Sequence, residues 1–132
     1  MDATDFFLAK LTFTTDPADL AADLAAGVAG QVIVDTRQPE AYAASHLPGA
    51  INLPHATITA DLAPALDAGA RYVTYCWGPA CNASTKGAAN LSALGFSVRE
   101  LIGGLSAWQD EGFAVEGGHG PKDLSDRFSC GC

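Results

Sequence analysis

The sequence predicts an α/β domain built on a buried, mostly parallel sheet. Three observations carry that expectation. Short apolar, β-rich runs recur at Val32-Ile33-Val34, Ala50-Ile51-Asn52-Leu53, Tyr72-Val73-Thr74-Tyr75 and Val98 to Ile102. They are separated by stretches of about twenty residues that carry helical patterns, as crossover connections between parallel strands require. Finally, 132 residues suffice for one domain with a core of its own, without disulfide or metal staples.

In chain order, Leu11 to Thr14 offers an edge strand, preceded by Phe6-Phe7-Leu8, which equally suits a helical turn. Pro17 after Thr15-Asp16 is a capped helix start, and Leu20, Leu24 and Val28 follow as one apolar stripe. Asn82 to Leu94 reads as a second helix, with Ala88, Leu91 and Leu94 on its inner face, Lys86 and Asn90 turned away, and Gly95 ending it. Leu105 to Glu111 is a shorter one, stopped by Gly112. The order is βαβαβαβα. From Gly117 the composition changes to Gly-Gly-His-Gly-Pro, so residues 1–116 are expected to form the domain and 117–132 a tail ending in Cys130-Gly131-Cys132.

Charge and cysteine narrow the function. Seven Lys plus Arg against fifteen Asp plus Glu give a formal charge of -8, which argues against nucleic acid or an anionic membrane as partner. The acidic start and the Lys10 break in the first apolar stretch argue against a signal peptide or membrane span and for a cytoplasmic protein. In that compartment thiols stay reduced, so four cysteines point to reactive groups before structural bridges.

Cys76 is the residue of most interest. An apolar strand delivers it to the strand's C-terminal end, where open α/β sheets bind ligands. The loop Trp77, Gly78, Pro79, Ala80, Cys81, Asn82 then leads into a helix. Such a loop aims backbone N–H groups and a helix N-terminus at one point, lowering a thiol's pKa and holding an anion beside it. Cys81 is either a resolving thiol for an oxidised or persulfidated Cys76 or a small residue packed at the helix start. Its spacing from Cys76 is not the C-x-x-C of dithiol oxidoreductases. Trp77 is placed to wall the pocket.

Three ordered segments resemble single-domain rhodanese-like sulfurtransferases. Val34-Asp35-Thr36-Arg37, with Glu40, Tyr42 and the run His46 to Pro54, is similar to the family's N-terminal signature. Tyr75-Cys76 sits where the family carries its active-site cysteine, and Gly103-Gly104 with Trp108 resembles its C-terminal signature. The resemblance implies a five-stranded, mostly parallel sheet flanked by helices on both faces, and no cofactor or metal. It also implies a Cys76 persulfide that takes sulfur from a small donor and gives it to cyanide or a thiol, including a protein thiol.

The family's loop commonly holds a cation or hydroxyl, whereas residues 77–82 contain no Lys, Arg, Ser or Thr. A persulfide is therefore expected as donor ahead of thiosulfate, with Arg37, His55 and Lys86 as the basic side chains to assist from elsewhere. Related phosphatases and arsenate reductases use C-x5-R, and Asn82 stands where that arginine would be, which argues against phosphate chemistry. The alternatives are a thiol oxidoreductase or arsenate-reductase-like enzyme cycling Cys76 and Cys81, and a non-catalytic rhodanese-like protein-binding module. Asp35 with Arg37 reads as a structural pair, His46 as fixing the turn before Pro48, and Trp108 as core. For the terminal cysteines the options are an inert tail, a sulfur acceptor, or soft-metal ligands with His119.

Overall fold

The computed structural model describes residues 1–117. Its elements are α1 (Ala3–Phe13), β1 (Thr14–Thr15), α2 (Pro17–Ala25), β2 (Gln31–Asp35), α3 (Pro39–Ala44), β3 (Ile51–Asn52), β4 (Arg71–Tyr75), α4 (Ala83–Ala93), β5 (Ser97–Leu101) and α5 (Gly104–Asp110). Two short 3-10 turns, His55–Thr57 and Ala63–Ala65, lie between β3 and β4. The five strands form one sheet in the order β1-β5-β4-β2-β3, and every strand pair is parallel. Among the described residues the single antiparallel pairing is an isolated bridge between His46 and Glu116, which ties Glu116 to the loop after α3.

Burial follows the alternation of side chains along the strands. On one face Ile33, Val73 and Tyr75 pack with Leu20 of α2 and with Leu105 and Trp108 of α5. On the other, Val34, Tyr72 and Val98 pack with Leu91 of α4 and with Ile58 from the segment between β3 and β4. Helices thus cover both faces, and each buried Leu or Val contributes roughly 1.5–3 kcal/mol of transfer free energy. Because β4 has neighbours on both sides and layers above and below, its end is fixed in position.

The helix boundaries follow local signals. The Asp16 carboxylate accepts from the Asp19 N–H at 2.8 Å, capping α2 with Pro17 in its first turn. Gly95 (φ +93°) and Gly112 (φ +86°) adopt the left-handed conformation after α4 and α5.

The structure departs from expectation at four places. The expected βαβαβαβα order is broken, because α1 precedes the first strand and β3 runs to β4 through two 3-10 turns with no crossover α-helix. The strand expected from Leu11 is instead helix as far as Phe13, leaving two residues for β1. A capping box, with Asp2 accepting from the Asp5 N–H and Asp5 from the Asp2 N–H, fixes the helix start. Along α2 only the N-terminal part of the stripe is buried: Leu20 is enclosed, whereas Leu24, in the last turn, is exposed because the helix covers the sheet only around Leu20, and Val28 is exposed beyond the helix end at Ala25. Asn90 does not face away from the fold; its side-chain N–H donates to the His55 carbonyl at 3.0 Å.

Candidate functional site at the end of the fourth strand

After β2 the chain moves to β3 on one side, and after β4 it moves to β5 on the other. The switch point therefore lies between the C-terminal ends of β2 and β4, where the outgoing connections leave a crevice. Asp35 and Tyr75 are register partners there, and Thr36 and Cys76 are the next residues on each strand. This places Cys76 at the crevice, 1 % exposed.

A buried polar network braces that end of the sheet. The Tyr75 hydroxyl donates to the Asp35 carboxylate at 2.8 Å and accepts from the Leu47 N–H at 3.0 Å. Burial, reinforced by the neighbouring Asp35 charge, pushes the Tyr75 pKa far above the ordinary tyrosine range, so the hydroxyl stays protonated. The same carboxylate takes the Arg37 guanidinium through Nε at 3.0 Å and Nη2 at 2.7 Å, and the guanidinium also donates to the Ser45 carbonyl at 2.6 Å. Thr36 closes the crevice by donating both its N–H, at 3.1 Å, and its hydroxyl, at 2.8 Å, to the Tyr75 carbonyl.

The loop after Cys76 is held from two sides. The N–H groups of Leu105 and Ser106, at the start of α5, donate to the Cys76 and Trp77 carbonyls at 2.9 and 2.8 Å. This contact requires Gly104, which has φ +59°, since a Cβ there would collide with the Cys76 carbonyl oxygen. On the far side the Thr74 hydroxyl donates to the Ser84 carbonyl in the first turn of α4 at 3.0 Å. Gly87 lets α4 lie against Thr36, where a Cβ would come within 2.6 Å of the threonine methyl.

Within the loop the Cys81 N–H donates to the Gly78 carbonyl at 3.1 Å, making a tight turn through Pro79 and Ala80. Among the described residues, the N–H groups of Trp77, Gly78, Ala80 and Asn82 donate to no backbone carbonyl. Asn82 forms the N-cap of α4 without a side-chain bond to it. Trp77 is half-buried against the core face that holds Leu105 and Trp108.

Cys76 and Cys81 are joined by a disulfide, with Cα atoms 6.3 Å apart. Cys81 is therefore the covalent partner of Cys76 rather than a small residue packed at the helix start. Its residue, unlike Cys76, lines an open cavity of about 260 Å³ that also touches Lys10, Gly78, Pro79, Thr85 and Glu100. Glu100 accepts there from the hydroxyls of Ser84, at 2.7 Å, and Thr85, at 2.6 Å.

The basic residues expected to assist occupy three different settings. Arg37 is buried and committed to Asp35 and backbone carbonyls, in keeping with a structural pair. His55 is half-buried, with its N–H on the Thr36 carbonyl at 3.2 Å and its carbonyl on Asn90. Lys86 is exposed on α4. The cation that lines the cavity beside Cys81 is Lys10, which is not among the basic residues expected to assist. Nothing local marks it, because only the pairing of β1 with β5 brings the end of α1 alongside that loop. His46 stacks on Tyr42 with ring centroids 3.8 Å apart and lies 3.7 Å from the Glu116 carboxylate, consistent with a role in fixing the turn. Trp108 is core, as expected. Residues 118–132, with His119, Cys130 and Cys132 and most of the expected tail, lie outside the described residues.

Residues 16–111 match the sequence profile of the rhodanese-like domain. The chain belongs to the rhodanese-like family. It is 38% identical over 87 residues to thiosulfate sulfurtransferase GlpE of Pseudomonas entomophila, covering 65% of this chain and 77% of that protein. It is also 36% identical over 91 residues to an HTH-type transcriptional regulator of Mycobacterium tuberculosis, covering 68% of this chain but only 40% of the regulator. Among solved structures, the BH2092 protein from Bacillus halodurans superposes with a TM-score of 0.81 at 45% identity, covering 87% of this chain and 84% of that one. A thiosulfate sulfurtransferase from Pseudomonas aeruginosa gives 0.66 at 32% identity, covering 83% of this chain and 21% of its own. The rhodanese-like assignment agrees with the all-parallel sheet and with the Asp35-Arg37 and Gly103-Gly104 segments. No described helix of this domain is long and apolar enough to cross a membrane.

Proposed function

We propose that this rhodanese-like domain is a sulfurtransferase in which Cys76 carries the transferred sulfur as a persulfide. The observation that supports it most directly is the setting of Cys76, at the switch point, under a loop whose Trp77, Gly78, Ala80 and Asn82 N–H groups, among the described residues, are not taken up by any backbone carbonyl. Such amide groups, with the N-terminus of α4 beyond them, lower a thiol pKa and stabilise the terminal sulfur of a persulfide anion.

The reaction starts from the reduced pair. The Cys76 thiolate attacks the outer sulfur of the donor, whose remaining thiolate or sulfite leaves with the bonding electrons. Cyanide, a small thiol or a protein thiol then takes the outer sulfur from Cys76 and regenerates the thiolate. With no cationic side chain in residues 77–82, the loop suits a monoanionic persulfide donor better than dianionic thiosulfate. A cytoplasmic setting keeps the pair reduced between turnovers.

The test is mass analysis of reduced protein after exposure to thiosulfate or cysteine persulfide, with cyanide as acceptor. The expected result is one added sulfur atom on the Cys76 peptide, removed by cyanide as thiocyanate, and neither event in Cys76→Ser. Reduced protein that takes no sulfur from either donor would be a binding module instead.

A further inference from the structure

We propose that the Cys76–Cys81 pair gives this domain a second activity, the reduction of a sulfane sulfur to hydrosulfide, with Cys81 as the resolving thiol. The inference rests on the Cys76 persulfide proposed above and extends it. Two observations carry it. The disulfide shows that the two sulfurs reach bonding distance while residues 77–82 stay folded over Cys76 and held by α5. The two cysteines also differ in access: Cys76 is 1 % exposed, whereas Cys81 lines the open cavity beside Lys10, Thr85 and Glu100.

In the resolving step the Cys81 thiolate attacks the inner sulfur of the persulfide, the Sγ of Cys76. Its electron pair forms the Sγ–Sγ bond. The bond from Cys76 Sγ to the outer sulfur breaks, and the outer sulfur leaves with that pair as hydrosulfide. The sulfane sulfur gains two electrons and the two cysteines lose them as they become the disulfide. A dithiol reductant resets the site. One of its thiolates attacks Cys81 Sγ from the cavity side, and Cys76 departs as the thiolate that the loop amides stabilise. The reductant's second thiol then releases Cys81. Over the cycle a persulfide and a dithiol become a thiol, hydrogen sulfide and the reductant's disulfide.

Cys81 thus decides the fate of the sulfur. If an acceptor reaches the outer sulfur first, sulfur is transferred; if Cys81 attacks first, hydrosulfide is released and the site is closed until it is reduced.

The experiment uses the full chain with Cys130→Ser and Cys132→Ser, so that the terminal thiols cannot intervene. The protein is reduced, freed of reductant and mixed without oxygen with a single equivalent of glutathione persulfide. The parent is expected to release about one equivalent of hydrosulfide and to end with a Cys76–Cys81 disulfide, seen as a loss of two hydrogens and resistance to alkylation. With Cys81→Ser added, the chain is expected to hold the extra sulfur on Cys76 and to release at least about tenfold less hydrosulfide. A parent that keeps the sulfur as stably as the Cys81→Ser chain overturns the inference while leaving the sulfurtransferase reading intact. A Cys81→Ser chain that never gains sulfur on Cys76 overturns both.

Discussion

The Tyr75 hydroxyl sits 2.8 Å from the Asp35 carboxylate, joining the ends of two paired strands one residue before Cys76. Asp35 also holds Arg37, and Tyr75 also receives the Leu47 N–H, so one buried carboxylate fixes three segments around the crevice.

Because burial and then the Asp35 charge raise the Tyr75 pKa, the folded state holds that proton more tightly than the unfolded chain does. The stabilisation is full below the ordinary tyrosine pKa of 10.0 and is lost as pH rises beyond it. Above that pH the slope is about 1.4 kcal/mol per pH unit for this one group. Urea unfolding of parent and Tyr75→Phe from neutral to alkaline pH should show the two converging as pH rises. At neutral pH the Phe variant should be less stable by about 1–3 kcal/mol, since the Leu47 N–H loses its acceptor. Parallel curves would contradict the assignment.

Replacing Arg37 by Ala leaves the Asp35 carboxylate buried with its main countercharge gone. The cost should be about 3–5 kcal/mol, more than for any exposed charge in the domain. Arg37→Lys should recover part of it but lose the two-pronged contact. Chemical denaturation measures both. A cost below about 1 kcal/mol for the Ala variant would mean that water replaces the guanidinium.

Gly104→Ala should harm the site as well as the fold. The added methyl meets the Cys76 carbonyl, and φ +59° is itself strained for alanine. We expect a loss of about 1–3 kcal/mol together with slower sulfur loading of Cys76, because α5 must withdraw from the loop it holds. Gly95→Ala is the comparison. It has φ +93° with open space around the new methyl, so it should cost about 1 kcal/mol and leave loading unchanged.

The disulfide closes a short loop, with a sequence separation of 5. In the chain-entropy description such a loop stabilises the fold by only about 2 kcal/mol. Reduction of a Cys130→Ser, Cys132→Ser chain should therefore lower the unfolding midpoint in urea modestly and leave one cooperative transition. Collapse of the fold on reduction would show the pair to be a structural staple and would argue against turnover through the dithiol.

Much of the architecture was legible in the sequence because its signals are local. Val32 to Val34 and Tyr72 to Tyr75 are apolar runs that only a sheet covered on both faces can bury. Asp16-Pro17 and Gly95 mark helix ends through the conformations those residues favour. The Asp35-Thr36-Arg37 and Gly103-Gly104 segments, set around Cys76, carried the family resemblance.

What tertiary structure decided is whatever depends on strand order and on side chains meeting across it. Pairing β1 with β5 carries Lys10 to the wall of the cavity that Cys81 lines, a juxtaposition no spacing along the chain reveals. Asn90 turns inward because the His55 carbonyl lies beneath α4, and Leu24 stays exposed because α2 covers the sheet only around Leu20. The cysteines show the division most clearly. Residue type and position made Cys76 a nucleophile candidate, but Cys81 became its covalent partner because the turn at Gly78, held between α5 and α4, returns the chain to within bonding distance.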